Sequence, residues 1–503
     1  MTRLTIDPIT RLEGHGRIEI LLDDRGDVAE ATFQVPELRG FESFCVGRHA
    51  EDLPVITSRI CGVCPEAHLV AGVKALDDLF EVTPPPAACK VRELFYSAFF
   101  ITDHATHFFA LGGPDLLVGP DAPPAERNLL GVVRLLGAEA GGAVVACRRR
   151  NHDVIKRLGG RGINPVAAIP GGWSRPLTQE DRGFLQEAAR ANVAFAETAL
   201  QVFHDVVMGN PERRALMTSE AYLHRTYSMG TVDAHNRVNF YDGVVRVVDP
   251  EGREVARYAP RDYRDHVEER VVPHSYMKMP YLKQVGWKGL VDGVESGVYA
   301  ATPLARINVT DEMATPKAQE ELLKLRGFYG VTSAGGRPAS VHHRMATHWA
   351  RLVELLYAAE RMEELAHDPD ITSPEIRVTP TGAVRPGGGV GSVEAPRGTL
   401  THAYRADGQG VVTGVDLVVG TTNNHAAIAM SIKQAAQAFI RAGVVATDGL
   451  LNRVEMAFRL YDPCLSCATH ALPGEGGLRV VVRDHHGEVR CVVGEEPGRG
   501  VGP

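Results

Sequence analysis

Residues 11–35, "RLEGHGRIEILLDDRGDVAEATFQV", alternate apolar and polar positions on either side of a "DDRGD" turn, the two-residue period that predicts a β-hairpin. From about 43 to 80 the apolar spacing changes to three and four residues, the helical period. After "TPPP", residues 87–111 carry one long apolar face and predict a long helix. The same pattern predicts helices over 125–158, 178–208, 316–326, 340–367, 423–442 and 446–460. Between about 219 and 310 Val, Tyr and turn residues predominate, as in "NFYDGVVRVVDPEGREVARY", and predict a β-rich insertion. Residues 379–422 are rich in Gly and Pro and contain short strand patterns. A last hairpin pattern, "LRVVVRDHHGEVRCVV", lies at 478–493. These elements predict a mainly α fold with peripheral β (α+β), a core of long helices flanked by small sheets.

With 503 residues, 44% of them hydrophobic and 23% charged, the chain has the composition of an ordinary globular protein with a large core. Its net charge of −8 gives no general attraction to nucleic acid or an anionic membrane. The short basic run "CRRRN" at 147–151 reads as a solvated helix end. No stretch reaches the ~20 apolar residues of a membrane span, and "MTRLTIDPIT" lacks the apolar core of a signal segment. The expected location is therefore the cytoplasm, although a chain can also be exported with a partner that carries the signal. No internal repeat and no phosphate-binding glycine loop is present.

Cysteine placement changes the picture. Eight cysteines are too few for a disulfide scaffold, yet four of them form two CxxC pairs, Cys61/Cys64 in "RICGVC" and Cys464/Cys467 in "DPCLSCATH". Four thiolates make a soft site. On spacing alone they suit structural zinc, an Fe–S cluster or a catalytic metal. Zinc knuckles place their pairs ~15–20 residues apart, whereas these pairs are about 400 apart and would tie the two ends of a large fold together. A thioredoxin-like pair fits poorly, because there are two pairs and no surrounding βαβ pattern. His68 and His470 follow the second cysteine of each pair by four and three residues, as ligands, as hydrogen-bond partners of the sulfurs, or as ordinary core histidines. Arg397, in "EAPRG", sits in a Gly/Pro-rich loop between strand patterns. Cys45, Cys89, Cys147 and Cys491 are scattered and form no cluster-binding run, and each reads as a small core residue.

"RICGVCPEAH" and "DPCLSCATH", with "RLEGHGRIEI", "RGFE", "DHATHFFALGGPD", "EAPRG" and "LVVGTTNN" in order between them, resemble the large subunit of nickel–iron hydrogenases over residues 5 to 470. The wording of the motifs is most similar to the cytoplasmic bidirectional group, nearest its methyl-viologen-reducing branch. Related subunits of respiratory complex I share the fold but lack the four cysteines. The alternatives are therefore a structural zinc module and a catalytically silent subunit that binds a quinone. The resemblance implies that Cys61 and Cys464 are terminal nickel ligands and that Cys64 and Cys467 bridge nickel to an iron carrying cyanide and carbon monoxide. It implies a magnesium-type outer site made by Glu42, the Leu417 carbonyl and His470. Arg397 and Pro396 would lie over the iron, with Thr421 as a hydrogen-bond donor, Asp103 and Asp462 positioning the arginine, and His68 bonded to a bridging sulfur.

The activity implied is reversible heterolytic cleavage of H2, with Cys464 as the base beside the metal and Glu13 as the next proton acceptor. A permanently charged planar guanidinium at Arg397 suits the holding of cyanide and the polarising of bound hydrogen. The electrons need Fe–S clusters that this sequence does not encode. The resemblance places them in a small subunit, feeding a heterodisulfide-reductase-type, NAD(P)-linked or deazaflavin-linked partner. Residues 1–470 are expected to form one large catalytic domain. The 33 residues Ala471–Pro503 are expected to be an extension that a maturation protease removes.

Overall fold

The computed structural model describes residues 2–331, 333–334, 337–445, 447–470 and the strands 480–483 and 489–493. Four long helices, Pro86–Thr106, Ala138–Gly159, Gln179–Val202 and Ala346–His367, pack on one another at its centre. Ala346–His367 is buried almost all round, so its Arg351, Glu354 and Glu360 are buried ionisable groups that need partners. Gln179–Val202 starts at a capping box in which Thr178 and Asp181 exchange hydrogen bonds.

The sequence pattern located these helices but missed details of their ends. The helices expected over 87–111 and 178–208 finish in π-turns, His107–Leu111 and Phe203–Met208. The helix expected over 125–158 is two, Leu129–Leu136 and Ala138–Gly159, because Gly137 at φ 90° leaves the helical path between them. "CRRRN" consequently lies within the second helix and not at a helix end. Arg148 and Arg149 are solvated there, while Cys147 and Asn151 face the core. The last long helix begins at Ala346 rather than 340.

The sheets are small, and the one that carries Arg397 is buried against the core rather than peripheral as expected. The expected hairpin pairs Arg17–Leu22 with Val28–Gln34, and a strand not anticipated, Thr2–Ile6, adds to its edge. Between 219 and 310 lies a four-stranded sheet in the order Tyr299–Ala300, Tyr227–Val232, Val244–Val248, Glu254–Tyr258, with a separate hairpin of Val267–Val272 and Ser275–Leu282. A third sheet, Gly389–Ala395, Gly398–Ala406 and Val412–Val418, lies on the helix Pro65–Leu79. A Cβ at Gly391 would come within 2.2 Å of the Ala71 carbonyl, so this strand rests directly on the helix backbone. That close approach sets the "EAPRG" turn against the helix that follows the first CxxC. The helices His425–Phe439 and Asp448–Arg459 then return the chain to the same place. The hairpin expected at 478–493 is present as the antiparallel strands Val480–Arg483 and Val489–Val493, and the Cys491 side chain lies outside the described part. One apolar cluster runs from Ile6 to Ala468 and includes all four motif cysteines.

Candidate metal centre

Each CxxC pair straddles a helix start. Cys64 caps Pro65–Leu79 and Cys464 caps the short turn Leu465–Ala468. Pro65 suits the first helical position because its missing N–H would be unpaired there anyway. The two pairs, about 400 residues apart in sequence, meet: Cys61 Sγ lies 3.1 Å from Cys464 Sγ, Cys64 Sγ 3.3 Å from Cys467 Sγ, and Cys464 Sγ 2.8 Å from Cys467 Sγ. All four sulfurs fall within 4.8 Å of one another and are buried. Hydrogen bonds from Cys464, Cys467 and Cys64 hold the Cys61 thiol well below its ordinary pKa, whereas burial pushes Cys464 and Cys467 well above theirs. A second thiolate in this space therefore needs a cation beside it.

A small cavity of about 10 Å³ adjoins the sulfurs. Ala395, Leu400 and Val419 wall it with apolar surface, and His68, Arg397 and Thr421 supply its polar groups. Arg397 turns the corner between Gly389–Ala395 and Gly398–Ala406 and is 4% exposed. Its Nη1 lies 3.0 Å from Asp103 Oδ2 and its Nη2 3.0 Å from Asp462 Oδ2. Burial works against the guanidinium charge, but Asp103 and Asp462 more than offset it and keep Arg397 permanently charged. Asp462 adopts the left-handed backbone region at φ 55°, which carries a strain of order 1–3 kcal/mol in a non-glycine residue, and its carboxylate stands between Arg397 and Arg351. The Arg397 Nε–H has no partner among the described residues. A buried unpaired donor beside four thiolates is what a small acceptor group on a bound metal would satisfy. Thr421 Oγ1 accepts from the Cys464 N–H at 3.0 Å, leaving its own O–H to donate. The Pro396 carbonyl accepts from Arg306 and Arg351.

Glu13 reaches the sulfurs from the N-terminal segment. Its backbone pairs in parallel with Cys464, and its carbonyl accepts from Leu465 N–H at 2.9 Å. The segments can approach because Gly14 sits at φ 88°, where a Cβ would lie 2.9 Å from Leu465 Cβ. Glu13 Oε2 is 3.0 Å from Cys464 Sγ and accepts from Ser466 N–H at 3.1 Å, while the Ser466 hydroxyl donates to Oε1. The half-buried Glu13 also lines a second cavity, of about 410 Å³, together with Glu66, Asp103, Arg397, Arg148 and His152. Burial pushes the Glu66 carboxyl up to about 8. Exposed Val63 and Ile163 stand at the edge of this cavity.

His68 Nε2 lies 3.4 Å from Cys467 Sγ, and burial lowers its pKa to about 4, so the ring beside that sulfur is neutral. Its Nδ1 is 3.0 Å from His402 Nε2, and His402 Nδ1 is 2.6 Å from the Tyr404 hydroxyl. On the other side of Cys467, His470 Nε2 approaches the Leu417 carbonyl at 2.5 Å and Glu42 Oε1 at 3.6 Å. Glu42 Oε1 accepts from Leu417 N–H at 2.7 Å, and its own N–H donates to the His470 carbonyl at 3.2 Å.

All fourteen site residues expected from sequence are thus brought to one region. Sequence reasoning missed Ser466, His402, Tyr404, Arg306, Arg351 and Glu354. Ser466 lay in plain view inside the second CxxC. The others carry no local signal, because only tertiary packing brings them to the site. Of the remaining cysteines, Cys45 and Cys147 are buried with thiols pushed up to about 11 and about 12 by burial, as inert core residues are.

Comparison with known proteins places the chain in a family. The nickel-dependent hydrogenase family matches residues 39–120 and 252–470, and a HoxL-like family matches residues 3–38. The iron-sulfur subunit of the F420-non-reducing hydrogenase of Archaeoglobus profundus is 47% identical, covering 97% of this chain and 99% of the relative. The NAD-reducing hydrogenase HoxS subunit beta of Cupriavidus necator is 38% identical over 97% and 98%. The crystal structure of an NAD+-reducing [NiFe]-hydrogenase in the H2-reduced state superposes with a TM-score of 0.84 at 36% identity, covering 93% of this chain and 100% of that one. With four converging cysteines inside that fold, the chain belongs to the nickel-dependent hydrogenase family and is an oxidoreductase that acts on H2.

Proposed function

We propose that residues 1–470 form one catalytic domain that cleaves H2 reversibly in the cytoplasm. The observation that carries this reading is the convergence of the four motif sulfurs within 4.8 Å, with Arg397 held beside them by two carboxylates. Cys61, Cys64, Cys464 and Cys467 would together hold nickel and an iron that carries cyanide and carbon monoxide. When bound, this pair supplies a soft, open Lewis-acidic centre at which H2 is split heterolytically.

The chain's own residues handle the proton. Cys464 Sγ receives it, and the nearest acceptor is Glu13 Oε2 at 3.0 Å. Ser466 holds both carboxylate oxygens and so aims Glu13 at the sulfur. Position at the edge of the 410 Å³ cavity then gives Glu13 a way out for the proton. Arg397 is preorganised by Asp103 and Asp462 to stabilise charge without rearrangement at the moment of reaction. Pro396 and Thr421 shape the space around it. His68 donates to Cys467 and disperses the charge on a bridging thiolate. Glu42, the Leu417 carbonyl and His470 offer oxygen and imidazole donors for magnesium or another divalent ion.

The electrons would pass to an Fe–S small subunit packed over the cavity face, where Val63 and Ile163 are exposed. The 47% identity to an F420-non-reducing relative speaks against a deazaflavin-linked partner and leaves a heterodisulfide-reductase-type or NAD(P)-linked one. Among the described residues no helix is long and apolar enough to cross a membrane. Residues 464–470 lie over the sulfurs and bury them, and removal of Ala471–Pro503 by a protease after metal entry would trap the metal there. Infrared spectra of the purified complex test the reading. Bands of metal-bound carbon monoxide and cyanide support it and exclude zinc, and their absence from nickel-replete, matured protein sinks it.

A further inference from the structure

The reactive arginine and the reactive cysteine reach the centre on different chain segments, Arg397 on the turn after Gly389–Ala395 and Cys464 five residues beyond Arg459, where the helix Asp448–Arg459 ends. Neither turn has regular secondary structure to fix it against the other. One side chain touches both. Arg351, fully buried on Ala346–His367, donates from Nη1 to the Pro396 carbonyl at 3.4 Å and from Nη2 to the Leu460 carbonyl at 3.1 Å. Its Nη1 is also 3.8 Å from Asp462 Oδ2, the carboxylate that Arg397 holds from the other side.

We propose that Arg351 is a positioning residue that pins the Arg397 turn to the Leu460–Cys464 segment and so sets where the guanidinium of Arg397 stands relative to the sulfur of Cys464. A second guanidinium shows why one clamp is not enough. Arg306 donates to the Ala395 and Pro396 carbonyls at 3.0 and 3.2 Å and is itself held by Glu354. Arg306 therefore fixes the Arg397 turn to the helical core, and among the described residues it has no contact on the Cys464 side. The Arg397–Asp462 ion pair joins the two through side chains, and Arg351 joins them through the backbone carbonyls on both sides. The task needs a planar fork with two separated donors, so a lysine that keeps the charge near Asp462 reaches one carbonyl and releases the other. Arg351 also lies 3.5 Å from His104 Nδ1, and Asp462, Asp103 and Glu354 offset part of the burial that works against its charge.

This inference rests on the hydrogenase reading above, and two measurements on the Arg351→Lys variant test it. In the metal-free full-length chain, alkylation of Cys464 and Cys467 should quicken about 10-fold or more relative to Cys61 and Cys64, because the Leu460–Cys464 segment loses a charge-assisted anchor. In the loaded complex, nickel and iron content should stay near that of the parent. The cyanide bands should shift or broaden as Arg397 moves, and turnover should fall between about 10- and 100-fold. Arg351→Gln, which keeps one donor and loses the charge, should reproduce the alkylation change. Unchanged alkylation ratios together with unchanged cyanide bands in Arg351→Lys overturn the proposal. So does failure of both variants to fold, which would make Arg351 a purely structural residue. A parent complex without such bands removes the hydrogenase reading itself, whereas parent bands that the variant leaves in place remove only this inference.

Discussion

Replacing Glu13 by Gln separates proton transfer from everything else this residue does. The carboxylate makes three contacts, Oε2 with Cys464 Sγ and Ser466 N–H and Oε1 with the Ser466 hydroxyl. A glutamine side chain has the same shape. Its oxygen takes the place of Oε2 and still accepts from Ser466 N–H, and its amide group donates to a Ser466 hydroxyl that has turned to accept. The backbone pairing with Cys464 and Leu465 is untouched. The structural cost is thus the difference between a charged and a neutral acceptor, about 1 kcal/mol, too little to open the cage. An amide, however, cannot take a proton from the sulfur 3.0 Å away. Losing a positioned proton acceptor is worth about 10²–10⁴-fold in rate. Exchange of H2 with D2O, followed by mass spectrometry on reduced complex, should therefore fall by that factor, while nickel content, iron content and infrared bands match the parent. An exchange rate within tenfold of the parent would refute the reasoning and move the proton exit away from Glu13.

Three further outcomes are expected. Arg397→Lys should leave metal content similar but slow H2 oxidation by several orders of magnitude, since one ammonium cannot hold Asp103 and Asp462 together and also present a donor to the centre, a donor loss alone worth ~10²–10³-fold; turnover within tenfold of the parent, read with an artificial electron acceptor, would defeat this role. Burial lowers His348 to about 3 and His425 to about 4, below the ~6.5 of an unfolded chain, so the unfolded state binds more protons between these values and stability falls as pH drops through that window, by an upper bound of about 3–5 kcal/mol for each histidine. Glu66, raised to about 8 by burial, acts in the opposite sense and costs stability as pH rises from 4.5 toward 8, so the melting temperature should peak near neutrality and fall more steeply on the acid side; a flat acid limb in a thermal scan contradicts the assignment. Intact mass of active, nickel-containing protein should end at His470, and a fully active chain that retains Pro503 would show that the extension is permanent.

What the sequence determined and what only the tertiary structure decided divide along physical lines. Helical and strand periods are local, so the long helices, the N-terminal hairpin and the β-rich stretch could be read directly, as could both CxxC pairs. Where periodicity cannot see, it erred. Gly137 at a positive φ splits a helix that the apolar spacing continues through, and the edge strand Thr2–Ile6 exists only because a partner strand is already there to accept it. The cysteine motifs marked the candidate metal donors, and motif resemblance marked Glu13, Arg397 and their neighbours as candidates beside them. Nothing in the sequence alone places Cys61 3.1 Å from Cys464 across 403 residues. That closeness depends on a strand lying directly on a helix backbone at Gly391 and on the return of the final helix to the core. The buried clamps show the same division. Arg351 and Glu354 fall in a helical pattern and Arg306 in the stretch expected to be β-rich, with nothing local to single them out, and only packing in a low-dielectric interior turns them into the groups that hold the reactive turns in place, because there an unpaired charge would be too costly to keep.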